Sequence, residues 1–198
     1  MNAPEYYERN LPHRMARGST LFLTFRLAGS LPAAAVARLR TKRAAGLAAG
    51  FVFYAEQRRY FGQFDALLDA ASSGPTWLRL PAVAALVSEA LHHRHGSHYE
   101  LVAYCLMPNH VHVVLTLPDE APPLIRTLQS LKAHTALRAN QLLHRTGPFW
   151  QRETYDHIVR GAEEGRRIVA YVLNNPVKAG WVDNWEQWPH TYWNPDHQ

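Results

Sequence analysis

The stretch YELVAYCLMPNHVHVVLTL, residues 99–117, restricts the fold more than any other part of the chain. Its β-branched and aromatic composition favours two strands, and the segment MPN at 107–109 interrupts them because proline cannot donate to a strand ladder. The strands are therefore predicted to pair as an antiparallel hairpin or a bulged bend. In the second strand a single valine separates His110 from His112, so both imidazoles point to one face, about 6–7 Å apart along the strand. Two imidazoles on one face can hold a divalent metal ion.

The rest of the chain predicts one further strand and a series of helices. This order favours a single α+β domain over residues 1–198, with helices packed on one face of a mainly antiparallel sheet. A polar N-terminal arm, 1–18, and a Trp-rich C-terminal tail, 181–198, are predicted as extensions of that domain. The other predicted elements are a strand at 19–27, helices at 33–49, 51–71, from Pro81 onward, 124–143 and 162–174, a turn at 72–75, and loops at 118–123 and 145–160.

Composition bears on the partner and on the cellular compartment. The formal net charge is +5 at pH 7, which suggests a polyanionic partner such as nucleic acid, although a solvated basic surface explains it equally well. The chain has no apolar run near the roughly 20 residues that cross a bilayer, and its polar start does not resemble a secretory signal. Cys105 is the single cysteine and cannot form an internal disulfide, so we expect a buried thiol in a cytoplasmic protein, which a nucleic-acid partner would associate with the nucleoid.

The last predicted helix brings two further polar groups onto one face. Tyr171 and Asn175 are four residues apart, and a helix places such residues side by side. An amide oxygen and two imidazoles would suit Mg²⁺ or Mn²⁺, and a nearby phenol could attack phosphorus to form a phosphotyrosine ester. Free tyrosine has a pKa of about 10, so the phenol needs a metal or a base such as Lys178 to ionise. A core tyrosine, a helix-end asparagine and core histidines explain the same pattern equally well.

Six segments together resemble the HUH-type single-tyrosine transposases, and among them the REP-associated tyrosine transposases. The segment MPNHVHVVL carries the family's His-hydrophobic-His motif, and AYVLNNPVKAGWV carries its tyrosine helix and Asn-Pro exit. The histidine motif alone is weakly specific, whereas the ordered set is strongly specific. The matching segments are NLPHRMARGSTLFLTFRLAGSLP (10–32), MPNHVHVVL (107–115), LQSLKAHTALRAN (128–140), GPFWQRETYDHIVR (147–160), AYVLNNPVKAGWV (170–182) and WPHTYW (188–193).

The resemblance implies a fold, a reaction and a set of roles. The fold would be a ferredoxin- or RRM-like antiparallel sheet with helices on one side. His110, His112 and Asn175 would bind Mg²⁺ or Mn²⁺, and Tyr171 would be the nucleophile. The substrate would be single-stranded DNA with hairpins, cleaved and rejoined through a 5′-phosphotyrosine link with a free 3′-OH. Relatives in this family act as monomers or homodimers, and both states stay open here.

A single-stranded DNA substrate requires cationic side chains for its phosphates and aromatic rings for its bases. Basic residues after the histidine motif are the expected phosphate contacts, and a solvated surface is their alternative interpretation. The candidates are Arg126, Lys132, Arg138, Arg152, Arg160 and Lys178.

Three alternatives remain open from the sequence. Tyr155 is a rival nucleophile because an aspartate and a histidine follow it directly. A protein that binds DNA hairpins without cleaving them would keep the same motifs. A metallohydrolase that activates water at the histidine pair would need nearby acidic ligands, and Asp119 and Glu120 are the nearest in sequence. The tract HHRHGSH at 92–98 suggests zinc, but a solvated helix end explains it better, because the tract lacks the ligand spacing of a structural site.

Overall fold

The computed structural model describes residues 5–8, 12–15, 18–70 and 73–197. Its centre is a five-stranded antiparallel sheet in the order β6-β3-β5-β4-β7, and β1 pairs with β2 in a separate two-stranded sheet. The α+β class with an antiparallel sheet is thus confirmed. The strands are β1 (Glu5–Glu8), β2 (Pro12–Met15), β3 (Thr20–Leu27), β4 (Glu100–Leu106), β5 (His110–Thr116), β6 (Trp150–Ile158) and β7 (Thr191–Trp193).

Six α-helices connect the strands in the described part of the chain. Proline begins α3, where its missing N–H has no partner to lose, and apolar residues at helical spacing give α2 and α3 their buried faces. Three short 3₁₀ turns lie at 77–79, 185–187 and 195–197. The helices are α1 (Ala33–Ala48), α2 (Phe53–Asp69), α3 (Pro81–His92), α4 (Leu124–Leu142), α5 (Gly161–Leu173) and α6 (Asn175–Lys178).

The sheet carries a helical layer on each face, where the sequence predicted one. Alternate residues of β3, such as Leu23 and Phe25, point into a core that α3 and α4 complete. The intervening residues, such as Phe22, point into a second core formed with α1, α2 and α5. Because β3 and β5 are buried on both faces, both sets of side chains need apolar cover. The histidines of β5 lie on the second face.

Two segments expected to lie outside the sheet are strands in it. The predicted loop at 145–160 contains β6, which pairs with β3 from Leu21 to Leu27. The Trp-rich tail, expected as an extension, supplies β7 beside β4. Both are edge strands, with polar residues or only three paired residues, so periodicity reveals them poorly. Of the predicted arm, residues 1–4, 9–11 and 16–17 lie outside the described residues, as does part of the predicted turn at 72–75.

A lysine binds the irregular part of β6, residues 151–153, where the register with β3 shifts. The Lys132 ammonium group on α4 donates to the carbonyl oxygens of Gln151 and Glu153 at 3.1 and 3.3 Å, and to the Thr154 hydroxyl at 2.8 Å. It also lies 5.3 Å from the centre of the Phe25 ring. Lys132 therefore joins α4 to the sheet. No helix in the described ranges is long and apolar enough to cross a membrane.

Candidate metal and nucleophile site

The two histidines of β5 lie side by side and are fully buried. Their Nε2 atoms are 3.0 Å apart, and their rings are nearly perpendicular. Each outer ring nitrogen has a partner: His110 Nδ1 lies 2.6 Å from Asn109 Oδ1, and His112 Nδ1 lies 2.8 Å from Thr24 Oγ1. Such partners orient imidazoles in metal sites.

The amide of Asn109 fixes the tautomer of His110. Its Nδ2 donates to the Leu68 carbonyl at 3.0 Å, so its Oδ1 faces the imidazole as an acceptor. His110 must therefore carry its proton on Nδ1, which leaves a lone pair on Nε2. Burial, and then the neighbouring His112, hold the pKa of His110 well below its usual value, so the ring is neutral. A neutral imidazole with a directed lone pair is the form that binds metal.

A carboxylate from α2 completes the cluster. Asp65 is fully buried, and its Oδ1 lies 3.1 Å from His112 Nε2 and 4.0 Å from His110 Nε2. One ligand atom from each of these three residues lies within 4.8 Å of the others. Asp69, one helical turn later, places its Oδ1 3.9 Å from His110 Nε2. Four groups able to bind a cation thus meet between α2 and β5.

The tyrosine of α5 joins this cluster through the same carboxylate. The Tyr171 hydroxyl donates to Asp65 Oδ2, and its ring centre lies 5.8 Å from that of His112. Lys178 donates to Asp65 Oδ2 at 2.9 Å and to Asp69 Oδ2 at 2.8 Å. Its ammonium nitrogen lies 5.2 Å from the centre of the Tyr171 ring. The chain therefore brings together the phenol, the histidines and the lysine that the sequence singled out.

The charges around the phenol oppose its ionisation. Burial and the negative charge of Asp65 raise the pKa of Tyr171. Burial alone would raise the pKa of Asp65 too, but hydrogen bonds and charge from its neighbours hold it well below the usual value. Burial lowers the pKa of Lys178, but Asp69 and Asp65 outweigh this and raise it. The two carboxylates carry one more negative charge than the single ammonium group of Lys178 balances, so the cluster can accept additional positive charge.

The donor set fits a hard divalent cation. Among the described residues, the Oδ1 atoms of Asp65 and Asn175 are buried and accept no well-aligned hydrogen bond, although Asp65 Oδ1 lies 3.1 Å from His112 Nε2. Asn175 lies at the start of α6. The Asn175 amide nitrogen donates to the Tyr171 carbonyl at 2.9 Å, which keeps the two residues on one side of the helix. Carboxylate and amide oxygens with imidazole nitrogens are ligands that Mg²⁺ and Mn²⁺ accept.

The rival tyrosine lies in the core. Tyr155 is buried, and its ring stacks on Phe61 at 4.2 Å between centres and meets Phe22 edge-on. The following histidine, His157, points instead to Glu164 of α5 at 3.2 Å. The Tyr-Asp-His sequence therefore does not form a unit around the phenol.

Of the predicted phosphate contacts, Lys178 lies in the cluster and the other five do not reach it. Arg126, Arg138 and Arg152 are exposed, the first two on α4, which covers the opposite face of the sheet. Arg160 is exposed at the start of α5. Lys132 is held by the backbone of β6. The His-rich tract at 92–98 forms no three-residue metal cluster among the described residues.

Sequence reasoning missed the two acidic residues. The nearest acids in sequence, Asp119 and Glu120, lie in a loop past the strand pair and gave little reason to expect a carboxylate ligand, but a carboxylate comes from α2, far earlier in the chain. A local signal did exist: Asp65 and Asp69 are four residues apart, so they share one face of a helix. Only the packing of α2 on β5 shows that this face meets the histidines.

Comparisons with known proteins relate part of the chain to a family of transposases. Residues 84–175 match the family model described as Transposase IS200 like. A REP-associated tyrosine transposase of Escherichia coli K12 is 29% identical over 100 residues, which is 50% of this chain and 56% of that protein. A Haemophilus influenzae protein assigned provisionally to the same group is 26% identical over 107 residues, covering 50% of this chain and 61% of the relative. The matches thus span little more than half the length of these relatives.

A solved structure shares the fold. The structure of a REP-associated tyrosine transposase bound to a REP hairpin superposes with a TM-score of 0.55 at 17% identity, covering 96% of this chain and 82% of that one. This likeness supports the antiparallel sheet and its helices. Residues 84–175 thus match the family of IS200-like transposases, and the chain as a whole is similar to REP-associated tyrosine transposases.

Proposed function

We propose that this chain is a metal-dependent single-stranded DNA endonuclease and strand transferase. It would act on hairpin-bearing DNA of the REP type through a 5′-phosphotyrosine intermediate. One observation carries the proposal: the Tyr171 hydroxyl is hydrogen-bonded to Asp65, the carboxylate that contacts both histidines. The solved relative bound to a REP hairpin and the two curated relatives support the choice of substrate.

The proposed roles follow from the contacts. A Mg²⁺ or Mn²⁺ ion held by His110, His112 and Asp65, with Asn175 as a further oxygen donor, would polarise the scissile phosphate as a Lewis acid. Asn109 and Thr24 would hold the imidazoles in place. Exposed arginines away from the cluster, Arg126, Arg138, Arg152 and Arg160, stay predicted phosphate contacts, whereas Lys132 would have to leave β6 to serve as one.

The chemical step would begin at the phenol. Tyr171 Oη would form a bond to phosphorus while its proton passes to Asp65 Oδ2, the acceptor of its hydrogen bond. The bond between phosphorus and the 3′ oxygen would break, and that oxygen would leave with the electron pair and take a proton from water. The phosphodiester energy would be kept in the tyrosine ester, so a later attack by a 3′-OH could reverse the step.

The test is a covalent-adduct assay. DNA hairpins copied from palindromes flanking the gene, labelled at the 3′ end, would be incubated with Mg²⁺ or Mn²⁺ and resolved under denaturing conditions. We expect a labelled protein band that disappears with Tyr171→Phe and with chelator. Tyr155→Phe is the matched control and should retain the band, because Tyr155 lies in the core. A band that survives Tyr171→Phe would disprove the assignment of the nucleophile.

Asp65 also favours a second candidate, a metallohydrolase in which the cluster activates water. In that case cleaved DNA would accumulate without a protein-linked band, and Tyr171→Phe would still cleave. Hairpin binding without cleavage, across several hairpins and both metals, would favour a binding protein that does not cut DNA.

A further inference from the structure

The positive charge of this chain is concentrated on α1 and the first half of α2, within the helical hairpin that the two helices form. Residues 33–60 contain six lysine or arginine residues and one glutamate, an excess of five. The formal net charge of the whole chain is also +5, so the remainder of the protein is balanced. Over the whole hairpin, 33–69, Asp65 and Asp69 reduce the excess to three. This hairpin lies outside the region 84–175 that the family model matches. The family resemblance therefore gives it no role.

Three of the hairpin's basic side chains are exposed and have no acidic neighbour. In the described ranges, no carboxylate lies within 4.0 Å of Arg38, Lys42 or Arg58. Arg38 and Lys42 are four residues apart on α1 and so share one face of it. By contrast, Arg40 pairs with Glu153 of β6 at 2.6 Å. The unpaired three keep their full charge available to a polyanion.

A groove between the two helices continues this basic surface. Its volume is about 370 Å³, and its lining includes Lys42, Arg43 and Arg59. The one acid in the lining, Glu56, is buried and pairs with Arg59 at 3.4 Å. The groove therefore keeps a net positive charge.

The turn between α1 and α2 exposes an apolar run beside these charges. Phe51, Val52 and Phe53 are 55%, 71% and 50% exposed, and the Arg43 guanidinium lies 5.5 Å from the centre of the Phe53 ring. Exposed aromatic rings beside cations are how proteins hold nucleic acid without reading its sequence, since every base has a face that can stack.

The tip of the hairpin lies at a fixed distance from the cluster, because α2 connects the two. Phe53 begins α2 and Asp65 lies twelve residues later, so the tip is about 18 Å from the carboxylate along the helix axis. At 3.4 Å per nucleotide along a strand of duplex, this corresponds to about five nucleotides. DNA held at the cluster therefore needs only a short additional length to meet the tip.

We propose that the α1–α2 hairpin is a second DNA-contact surface. Arg38, Lys42 and Arg58 bind phosphates, and Phe51 and Phe53 pack against bases, about five nucleotides from the site of chemistry. The inference rests on the proposed function for the identity of the polyanion. It assigns sequence-independent DNA binding to the α1–α2 hairpin. The phosphate contacts predicted from the sequence all lie after residue 125 and do not include this hairpin.

The test measures how DNA binding depends on salt. The triple variant Arg38→Gln, Lys42→Gln, Arg58→Gln would bind a fluorescent stem-loop DNA in a titration between about 50 and 200 mM salt. Each lost phosphate contact lowers the slope of log K against log salt by about one, so we expect a slope lower by roughly two to three. Phe51→Ser with Phe53→Ser should weaken binding with little change in slope. A triple variant with the wild-type slope would overturn the inference.

Two controls separate the effect of this surface from a general loss of charge and from a longer-range effect on the cluster. The charge-matched variant Arg79→Gln, Arg166→Gln, Arg167→Gln changes exposed arginines with no predicted DNA contact and should keep the wild-type slope, and circular dichroism checks that each variant folds. Stem-loops trimmed to fewer than about five nucleotides on either side of the cleaved bond should bind wild type and the hairpin variant alike. A difference that persists on trimmed DNA would disprove the placement.

Two further outcomes are decisive. If wild-type protein forms no covalent adduct but the triple variant still lowers the salt slope, the proposed function is disproved and this inference stands. Vesicles containing phosphatidylserine test the other polyanion that a basic, apolar tip could meet. Vesicle binding that the triple variant loses, together with an unchanged DNA slope, would assign the surface to membranes and overturn the proposal.

Discussion

The position of Asp65 decides what the histidine pair can do. Two neutral imidazoles bind a divalent ion weakly by themselves, and a buried carboxylate adds the charge that such an ion requires. The same carboxylate accepts the hydrogen bond of the Tyr171 hydroxyl, so in the proposed mechanism metal binding and nucleophile activation meet at one residue.

We therefore predict that Asp65→Asn lowers the affinity for Mn²⁺ by about tenfold or more, because the amide keeps the shape of the side chain and loses its charge. Isothermal titration of the purified protein with MnCl₂ would measure it. Glu120→Gln, which removes a charge from an exposed loop, is the matched control and should bind like wild type. Equal Mn²⁺ affinity in Asp65→Asn would mean that the carboxylate is not a ligand.

The histidines could be predicted from the sequence and the aspartate could not, for a physical reason. The alternation of a strand is a local property, so His110 and His112 on one face follow from their spacing. Asp65 reaches them only because α2 packs across β5, and no pattern within α2 states which face of the sheet it covers. Tyr171 and Asn175 were found by resemblance to a family, since helical spacing fits a core tyrosine equally well.

At the scale of elements, α1 and α2 pack closely because Gly46 has no side chain. A Cβ at this position would lie 2.6 Å from the carboxyl group of Glu56, which is buried against it. Gly62, in the middle of α2, has open space around it. Two helical glycines in one hairpin thus differ only in what a methyl group would meet.

The matched pair gives a prediction for stability. Gly62→Ala should raise the free energy of unfolding by about 0.5–1 kcal/mol, since alanine loses less backbone entropy in a helix. Gly46→Ala should lower it by roughly 1 kcal/mol, because Glu56 must move away from Arg59. Urea denaturation followed by circular dichroism measures both.

Whether Gly46→Ala raises or lowers the free energy of unfolding depends on Glu56, and a double-mutant cycle tests this dependence. In a Glu56→Ala background, Gly46→Ala should become stabilising, because the steric conflict is gone and the gain in helix propensity remains. If Gly46→Ala stays destabilising there, the backbone and not the glutamate limits the packing of the two helices.

The two strands at the sheet edges show where pattern reading fails. β6 reads WQRETYDHI, and its polar residues are those of a strand with one neighbour and a partly exposed face. Such a sequence is also typical of a loop. The buried strands β3, β4 and β5, with their apolar runs, were predicted within a few residues of their bounds. What distinguishes an edge strand is its neighbour, which lies far away in the chain.

At the scale of the whole molecule, chemical labelling of one buried thiol measures global unfolding. Cys105 is fully buried in β4, its sulfur accepts a hydrogen bond from Thr191 of β7 at 3.6 Å, and burial raises the pKa of the thiol to about 12. Burial suppresses the thiolate that reacts with disulfide reagents, and it outweighs the Thr191 hydrogen bond, which by itself would lower the pKa of the thiol.

We therefore expect native protein at pH 8 to be labelled at Cys105 only through global unfolding. The labelling rate, measured against urea concentration, should extrapolate to the unfolding equilibrium found by circular dichroism. Fully denatured protein, labelled at the rate of a free thiol, is the control. Faster labelling in the absence of urea would mean that β7 opens locally and uncovers β4.

The lysine at the irregular part of β6 has a consequence for how this protein behaves in a crowded solution. An edge strand with regular, unpaired backbone groups invites a strand from another molecule, the first step toward aggregation. In β6 the register shifts at residues 151–153, and the Lys132 ammonium group binds the carbonyl oxygens of all three. An irregular backbone and a nearby charge both hinder the pairing of a further strand. At the other edge, β7 is only three residues long, so neither edge offers a long regular strand to another copy of the protein.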